Sequence, residues 1–194
     1  LRFAEMHRKT NETEIRVFVH LDGDTPEISV RTGIGFLDHM LTLFAFHGRF
    51  GLKITACGDL QVDAHHTVED VGTVLGYAFD RALGNRSGIR RYGFSILPMD
   101  EVLVRAAVDV SGRPFLHLGA SFSRVQIGQM YTEDIREFFA AFVRGAKATL
   151  HLDVLRSGNE HHQAEAMFKA FGQALNEACR REGAGIPSTK GKLV

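Results

Sequence analysis

Apolar and polar residues alternate at Ile15, Val17, Val19 and Leu21, and again at Val102, Val104, Ala106 and Val108. A period of two sends one side of the chain into a core and the other toward water, so each run predicts a half-buried strand. The period then lengthens. Residues 36–47 place Phe36, Met40, Leu43 and Phe44 on one helical stripe, and residues 134–146 do the same with Ile135, Phe138, Phe139 and Phe142. A short apolar strand follows each, Leu52-Lys53-Ile54 and Leu150-His151-Leu152. A second helical stripe closes each half. It carries Val68, Val71, Leu75, Phe79 and Ala82 in one half, and Ala164, Phe168, Phe171, Leu175 and Ala178 in the other.

These matched patterns predict a duplication. His65 and His161 are 96 positions apart (161 − 65 = 96), and His39 aligns with Glu137 at 98 (137 − 39 = 98). Gly76 matches Gly172, and Ala78 matches Ala174. Asp63 and Asn159 precede the second helices as N-caps, residues whose side-chain oxygens accept otherwise unpaired amide hydrogens. Each half reads as strands, helix, strand, helix. The predicted class is α+β: a duplicated two-layer α/β sandwich with helices on one face of each sheet. The halves are residues 1–90 and 91–194, with the seam between Gly88 and Gly93, and they are expected to form one compact body. The stretch from Gly183 to Gly191 reads as loop.

With 44% hydrophobic residues, a chain of 194 can bury a real core. Formal charge is zero, which argues against a broad nucleic-acid-binding surface. No apolar run approaches membrane-spanning length, and residues 1–15 lack a signal-peptide core. Cys57 and Cys179 form neither a disulfide framework nor a zinc ribbon, so a reducing cytoplasm is the expected location.

The ten histidines change the picture, because four of them lie in His65-His66-x-x-Glu69 and His161-His162-x-x-Glu165. At a helix start, residues i and i+4 share a face while i+1 points about 100° away. His65 and Glu69 can therefore grip one ion while His66 reaches another, and the same holds for His161, Glu165 and His162. Imidazole with carboxylate suits a divalent ion such as Mn, Fe or Zn. A single His-His pair would be an ordinary capping or surface feature; its duplication behind matching caps favours a two-metal centre. His39 would in isolation be a core histidine bonded to Asp38, but its repeat partner Glu137 is also a possible ligand. His47 closes its helix, where the dipole favours a cation.

Weaker signals surround these. Arg91 in Gly88-Ile89-Arg90-Arg91-Tyr92-Gly93 and Arg113 in Ser111-Gly112-Arg113-Pro114 are candidate phosphate clamps, since guanidinium binds oxyanions bidentately. Ser188 and Lys190 could add a hydroxyl and an ammonium. Glu12, taken alone, is an ordinary surface carboxylate.

Assembled, the motifs resemble those of the imidazoleglycerol-phosphate dehydratases of histidine biosynthesis over nearly the whole chain. They include Asn11-Glu12-Thr13-Glu14, Gly33-Ile34-Gly35-Phe36-Leu37-Asp38-His39-Met40-Leu41 and Asp63-Ala64-His65-His66-Thr67-Val68-Glu69-Asp70. Pro98-Met99-Asp100-Glu101, Ser111-Gly112-Arg113-Pro114, Glu137-Phe138-Phe139, His161-His162-x-x-Glu165 and Ile186-Pro187-Ser188-x-Lys190-Gly191 follow in order. The resemblance implies a fold like the second domain of ribosomal protein S5, with left-handed crossovers that general handedness rules would not have given. It implies trimers assembled into a twenty-four-subunit octahedral shell, with two Mn ions per active site at subunit interfaces. The implied ligands are His39, His65, His66, Glu69, Glu137, His161, His162 and Glu165. Glu137 stands where many relatives have His, and Leu43 where some have a substrate-contacting Gln. The implied substrate contacts are Glu12, Arg91, Arg113, Lys169, Ser188 and Lys190. The implied reaction dehydrates imidazole-glycerol phosphate to imidazole-acetol phosphate through a metal-bound imidazolate and a diazafulvene, with Glu12 moving the proton. The alternatives are a metal-dependent hydrolase, a non-catalytic metal-binding shell, and an S5-like RNA-binding module.

Overall fold

The computed structural model describes residues 1–23 and 27–193, and the statements below concern these. The first half contains β1 (Phe3–Lys9), β2 (Thr13–His20), β3 (Ile28–Arg31), α1 (Gly35–Gly48), β4 (Gly51–Gly58) and α2 (His65–Leu83). The second contains β5 (Tyr92–Met99), β6 (Val102–Asp109), β7 (Phe115–Gly119), β8 (Gln126–Ile127), β9 (Met130–Tyr131), α3 (Thr132–Ala146), β10 (Thr149–Arg156) and α4 (Glu160–Cys179). One sheet has the order β1-β2-β4-β3 and the other β5-β6-β10-β7, so the two copies share one topology. In each, one edge strand runs parallel to its neighbour, β3 to β4 and β7 to β10, and the other pairings are antiparallel.

The chain is thus a duplicated α+β sandwich, as its periodicity predicts. The edge strands β1, β3, β5 and β7 and the small β8–β9 hairpin go beyond the predicted elements. The hairpin accounts for the jump in repeat offset between the second strands and the first helices. The strands β2 and β6 start 89 residues apart (102 − 13 = 89), whereas α1 and α3 start 97 apart (132 − 35 = 97). The extra length lies between β7 and α3, where β8 and β9 sit.

The helices are the layer where the halves meet. Helix α2 lies on β1 and β2 and packs extensively against α3, while α4 lies on β5 and β6 and packs against α1. The alternation in β2 and β6 turns Ile15, Val17, Val19, Val102, Val104 and Ala106 toward this layer, all fully buried or nearly so. Between the helices, Phe44 of α1 stacks on Phe171 of α4 with ring centroids 5.1 Å apart. Phe79 of α2 and Phe142 of α3 meet edge to face at 5.5 Å. Such pairs contribute about 0.5–1.5 kcal/mol each beyond the area they bury.

Two glycines make the close crossings possible. A Cβ on Gly76 would lie 2.5 Å from the Phe142 carbonyl oxygen, and one on Gly172 would lie 2.4 Å from the Phe44 carbonyl oxygen. No side chain fits there, so each repeat keeps its glycine where the opposite half's helix backbone passes. The helices also end alike. Arg49 (φ 55°) after α1 and Lys147 (φ 51°) after α3 adopt the left-handed conformation 98 positions apart (147 − 49 = 98). The strained turn is common at helix ends, and a cation there complements the helix dipole.

Candidate active site

The residues expected to bind metal sit on helices that cross between the repeats. His39 projects from the second turn of α1, and His161 and Glu165 from the first turns of α4. Glu165 Oε1 lies 3.3 Å from His39 Nε2, and Glu165 Oε2 lies 3.6 Å from His161 Nε2. One ligand atom from each of these three residues falls within 4.8 Å of the others. Lys169, one turn further along α4, places Nζ 3.5 Å from Glu165 Oε1. Glu165 is buried, which makes its pairing with imidazoles and an ammonium necessary. His39 does not bond to Asp38. That carboxylate accepts the Thr32 amide at 2.8 Å and the Thr32 hydroxyl at 2.6 Å, which tethers the start of α1 to the end of β3.

The helix starts are fixed as the caps predict. Asn159 Oδ1 accepts the amides of His161 at 2.9 Å and His162 at 3.4 Å. Asp63 Oδ1 accepts the His65 amide at 2.9 Å, although Ala64 occupies the boundary position itself. Both His-His pairs are thereby held on the first turns of their helices.

The repeat-related group on α2 and α3 differs. His65 Nε2 is 3.9 Å from Glu69 Oε2, consistent with a shared face. Glu69, however, accepts from Arg144 of α3 at 2.9 Å, and His65 Nδ1 lies 3.1 Å from Asp134 Oδ1. Glu137 sits half-buried on the same helix α3, outside the tight clusters found among the described residues. Like Arg144, Asp134 is a polar contact here that the sequence pattern does not single out. Burial raises its carboxyl above the ordinary carboxylate value, while hydrogen bonding to His65 opposes that shift.

His66 and His162 diverge from their neighbours, as the helix geometry predicts. His66 Nδ1 lies 2.9 Å from Asp59 Oδ2, and this contact raises the imidazole's pKa above its usual value. His162 Nδ1 lies 3.3 Å from Glu101 Oε2. Glu12, in the β1–β2 turn, stands 3.8 Å from His66 Nδ1. Glu12 and Glu101 are repeat-related (101 − 12 = 89), but their surroundings differ. Glu101 accepts the Asn159 amide at 2.6 Å, which holds its carboxyl below the usual range, and so it braces the start of α4. Glu12 is exposed and lines an open groove of about 270 Å³ with Thr10, Asp59 and Gln61.

The cationic residues gather elsewhere. Arg91 has φ 76°, an unfavourable conformation for a side-chain-bearing residue that structure must enforce. Its amide bonds to the Ala178 carbonyl at 2.9 Å, and its carbonyl accepts the Val110 amide at 3.0 Å. The guanidinium then reaches Asp109 Oδ1 at 2.8 Å and the Pro187 carbonyl at 3.0 Å. Arg113 Nη2 is 3.9 Å from the same Asp109. The bend carrying Ser188 and Lys190 is therefore pinned beside Arg91, and Ser188 Oγ accepts the Lys190 amide at 3.2 Å. Within one chain the expected site residues fall into separate groups: His39–His161–Glu165–Lys169, His65–Glu69 with Asp134 and Arg144, His66–Asp59–Glu12, His162–Glu101, and Arg91–Arg113–Asp109 with the C-terminal segment.

Residues 32–175 match the family model of imidazoleglycerol-phosphate dehydratase. The dehydratase of that name from Caldicellulosiruptor saccharolyticus is 50% identical over 192 residues, covering 99% of this chain and 98% of that protein. The one from Bordetella avium is 54% identical over 196 residues, covering both chains fully. The crystal structure of the dehydratase from Staphylococcus aureus superposes with a TM-score of 0.83 at 40% identity, covering 93% of this chain and 99% of that one. The structure from Pyrococcus furiosus gives 0.84 at 37% identity, covering 97% and 100%. With matches of this extent in sequence and in fold, the chain belongs to the imidazoleglycerol-phosphate dehydratase family, the hydro-lyases of histidine biosynthesis.

Proposed function

We propose that the chain catalyses this dehydration with two Mn ions, each held by ligands from both repeats. The observation that carries this reading is the convergence of His39 from α1 with His161 and Glu165 from α4. Two imidazoles and a carboxylate within reach of one another form a donor set that suits Mn. The second ion falls to His65, Glu69 and Glu137, the repeat-related residues on α2 and α3. His66 and His162 diverge from these two groups, and in this reading they complete the sites of neighbouring subunits in a trimer-based octahedral shell.

When bound, the ions would act as Lewis acids on the substrate's imidazole ring, stabilising negative charge there. The chain's residues do the rest. Arg91 and Arg113, with Ser188 and Lys190 on the pinned segment, bind the phosphate and fix the reacting carbons. Asp109 holds the Arg91 guanidinium in place; its hydrogen bond also keeps Arg91 charged, raising its pKa further. Lys169 balances Glu165 and adds positive charge beside the substrate. Glu12 is the proton shuttle, because its repeat partner Glu101 is committed to the α4 amide and Glu12 is not. The hydroxyl next to the ring departs and Glu12 takes the proton from the adjacent carbon, so that the elements of one water are lost. The resulting enol becomes the ketone, and the phosphate stays in place.

The test is incubation with imidazole-glycerol phosphate after removal of metal by a chelator. The stripped protein is expected to be inactive, and added Mn to restore formation of imidazole-acetol phosphate with no release of phosphate. Full activity without metal overturns the two-ion reading; release of phosphate makes the chain a hydrolase.

A further inference from the structure

The two repeat-related histidines that open α2 and α4 stand on different supports. Asp134 and Phe36 are 98 positions apart (134 − 36 = 98), the separation that also relates His39 to Glu137. They therefore occupy the same place on α3 and α1. Each lies against the first histidine of the opposite half's pair. Asp134 Oδ1 meets His65 Nδ1 at 3.1 Å, whereas Phe36 meets the His161 ring edge to face, centroids 5.4 Å apart. The Asp134 side chain is 1% exposed, and its Oδ2 has no hydrogen-bond partner. A buried carboxylate left half-satisfied costs stability, so packing alone does not account for it.

We propose that Asp134 is a positioning residue for one of the two metal ions, an inference that rests on the two-ion reading above. Accepting from Nδ1 fixes the His65 tautomer and the ring orientation, which leaves the Nε2 lone pair free on the side of Glu69. A carboxylate behind a ligating imidazole also makes it a better donor. The Phe36 ring restricts His161 sterically but accepts no N–H in the ring plane, so it leaves that tautomer open. The duplicated motif thus builds two unequal ion sites, and Asp134 governs only the one on α2.

The experiment titrates Mn into chelator-stripped full-length protein, following free Mn by its paramagnetic resonance signal, alongside thermal unfolding of the metal-free state. The original chain is expected to bind two ions. Asp134→Ala should weaken one ion by about 10–100-fold and leave the other unchanged. Asp134→Asn, which keeps the shape and an oxygen facing Nδ1, should recover part of that loss. The metal-free Asp134→Ala protein should unfold no earlier than the original. Both ions binding Asp134→Ala with original affinity, or both weakening equally in a protein that melts normally, overturns the proposal. Should Asp134→Ala fail to fold, an Asp134→Asn protein titrating like the original overturns it as well. An original chain that binds no Mn removes the two-ion reading together with this inference.

Discussion

The two candidate ligand groups use the same motif on repeat-related pairs of helices, α1 with α4 and α2 with α3, yet one is assembled and the other is not. On α1 and α4, His39, His161 and Glu165 already converge around a buried carboxylate. On α2 and α3, His65 leans on Asp134 while Glu69 is held by Arg144. The two repeats share their backbone positions but carry different residues at them: Phe36 in one and Asp134 in the other, Phe46 and Arg144 (144 − 46 = 98), His39 and Glu137. Equal backbones with unequal surroundings give one convergent group and one divided between other partners. The same divergence separates Glu12, exposed and uncommitted, from Glu101, which braces α4.

The Glu12–Glu101 contrast offers the largest expected effect. Glu12→Gln should lower turnover by about 10²–10⁴-fold while leaving Mn and substrate binding in place, the loss typical of a missing proton-transfer group. Glu101→Gln should instead lower the thermal midpoint by loosening the start of α4. Steady-state kinetics and melting curves on both variants check this; near-normal turnover in Glu12→Gln would remove that residue from the chemistry.

A smaller effect tests whether the two crossings are equivalent where the ligands are not. Gly76→Ala and Gly172→Ala each push a methyl group into a facing backbone carbonyl. Each should cost about 1–3 kcal/mol, the usual penalty of overpacking, and by similar amounts. Denaturant unfolding measures both. A large loss in only one would show that the helix layer is as asymmetric as the sites it carries.

The smallest effect concerns Arg144. Exposed ion pairs contribute about 0–1 kcal/mol, so releasing Glu69 by Arg144→Ala should tighten Mn binding at the α2–α3 group by no more than about fivefold. The α1–α4 ion should be unaffected. Weaker binding in that variant would mean that Arg144 supports the group rather than competing with the ion.

Much of this arrangement is legible in the amino-acid sequence. The paired His-His-x-x-Glu motifs, their caps, and the helices carrying Phe44, Phe79, Phe142 and Phe171 all follow from periodicity. The divergence of His66 and His162 follows from helical geometry alone. What periodicity cannot carry is which helix lies against which. The pairing of α1 with α4 and α2 with α3 takes His39 to the second repeat's histidine and leaves Glu137 on the helix beside the first's. Strand β1 carries a weak pattern, since Ala4 and Met6 are modest apolar signals on an edge. Asp134 gives no signal in the sequence, because an acidic residue in a first helical turn is ordinary; only its burial against His65 marks it out.

Crystals soaked with Mn and measured at the manganese absorption edge provide the most direct test. Two anomalous peaks per chain are expected, one bound by His39, His161 and Glu165, and the other by His65, Glu69 and Glu137, with Arg144 moved off Glu69. A single peak, or peaks that touch neither group of ligands, would contradict the assignment of two ions across the two repeats.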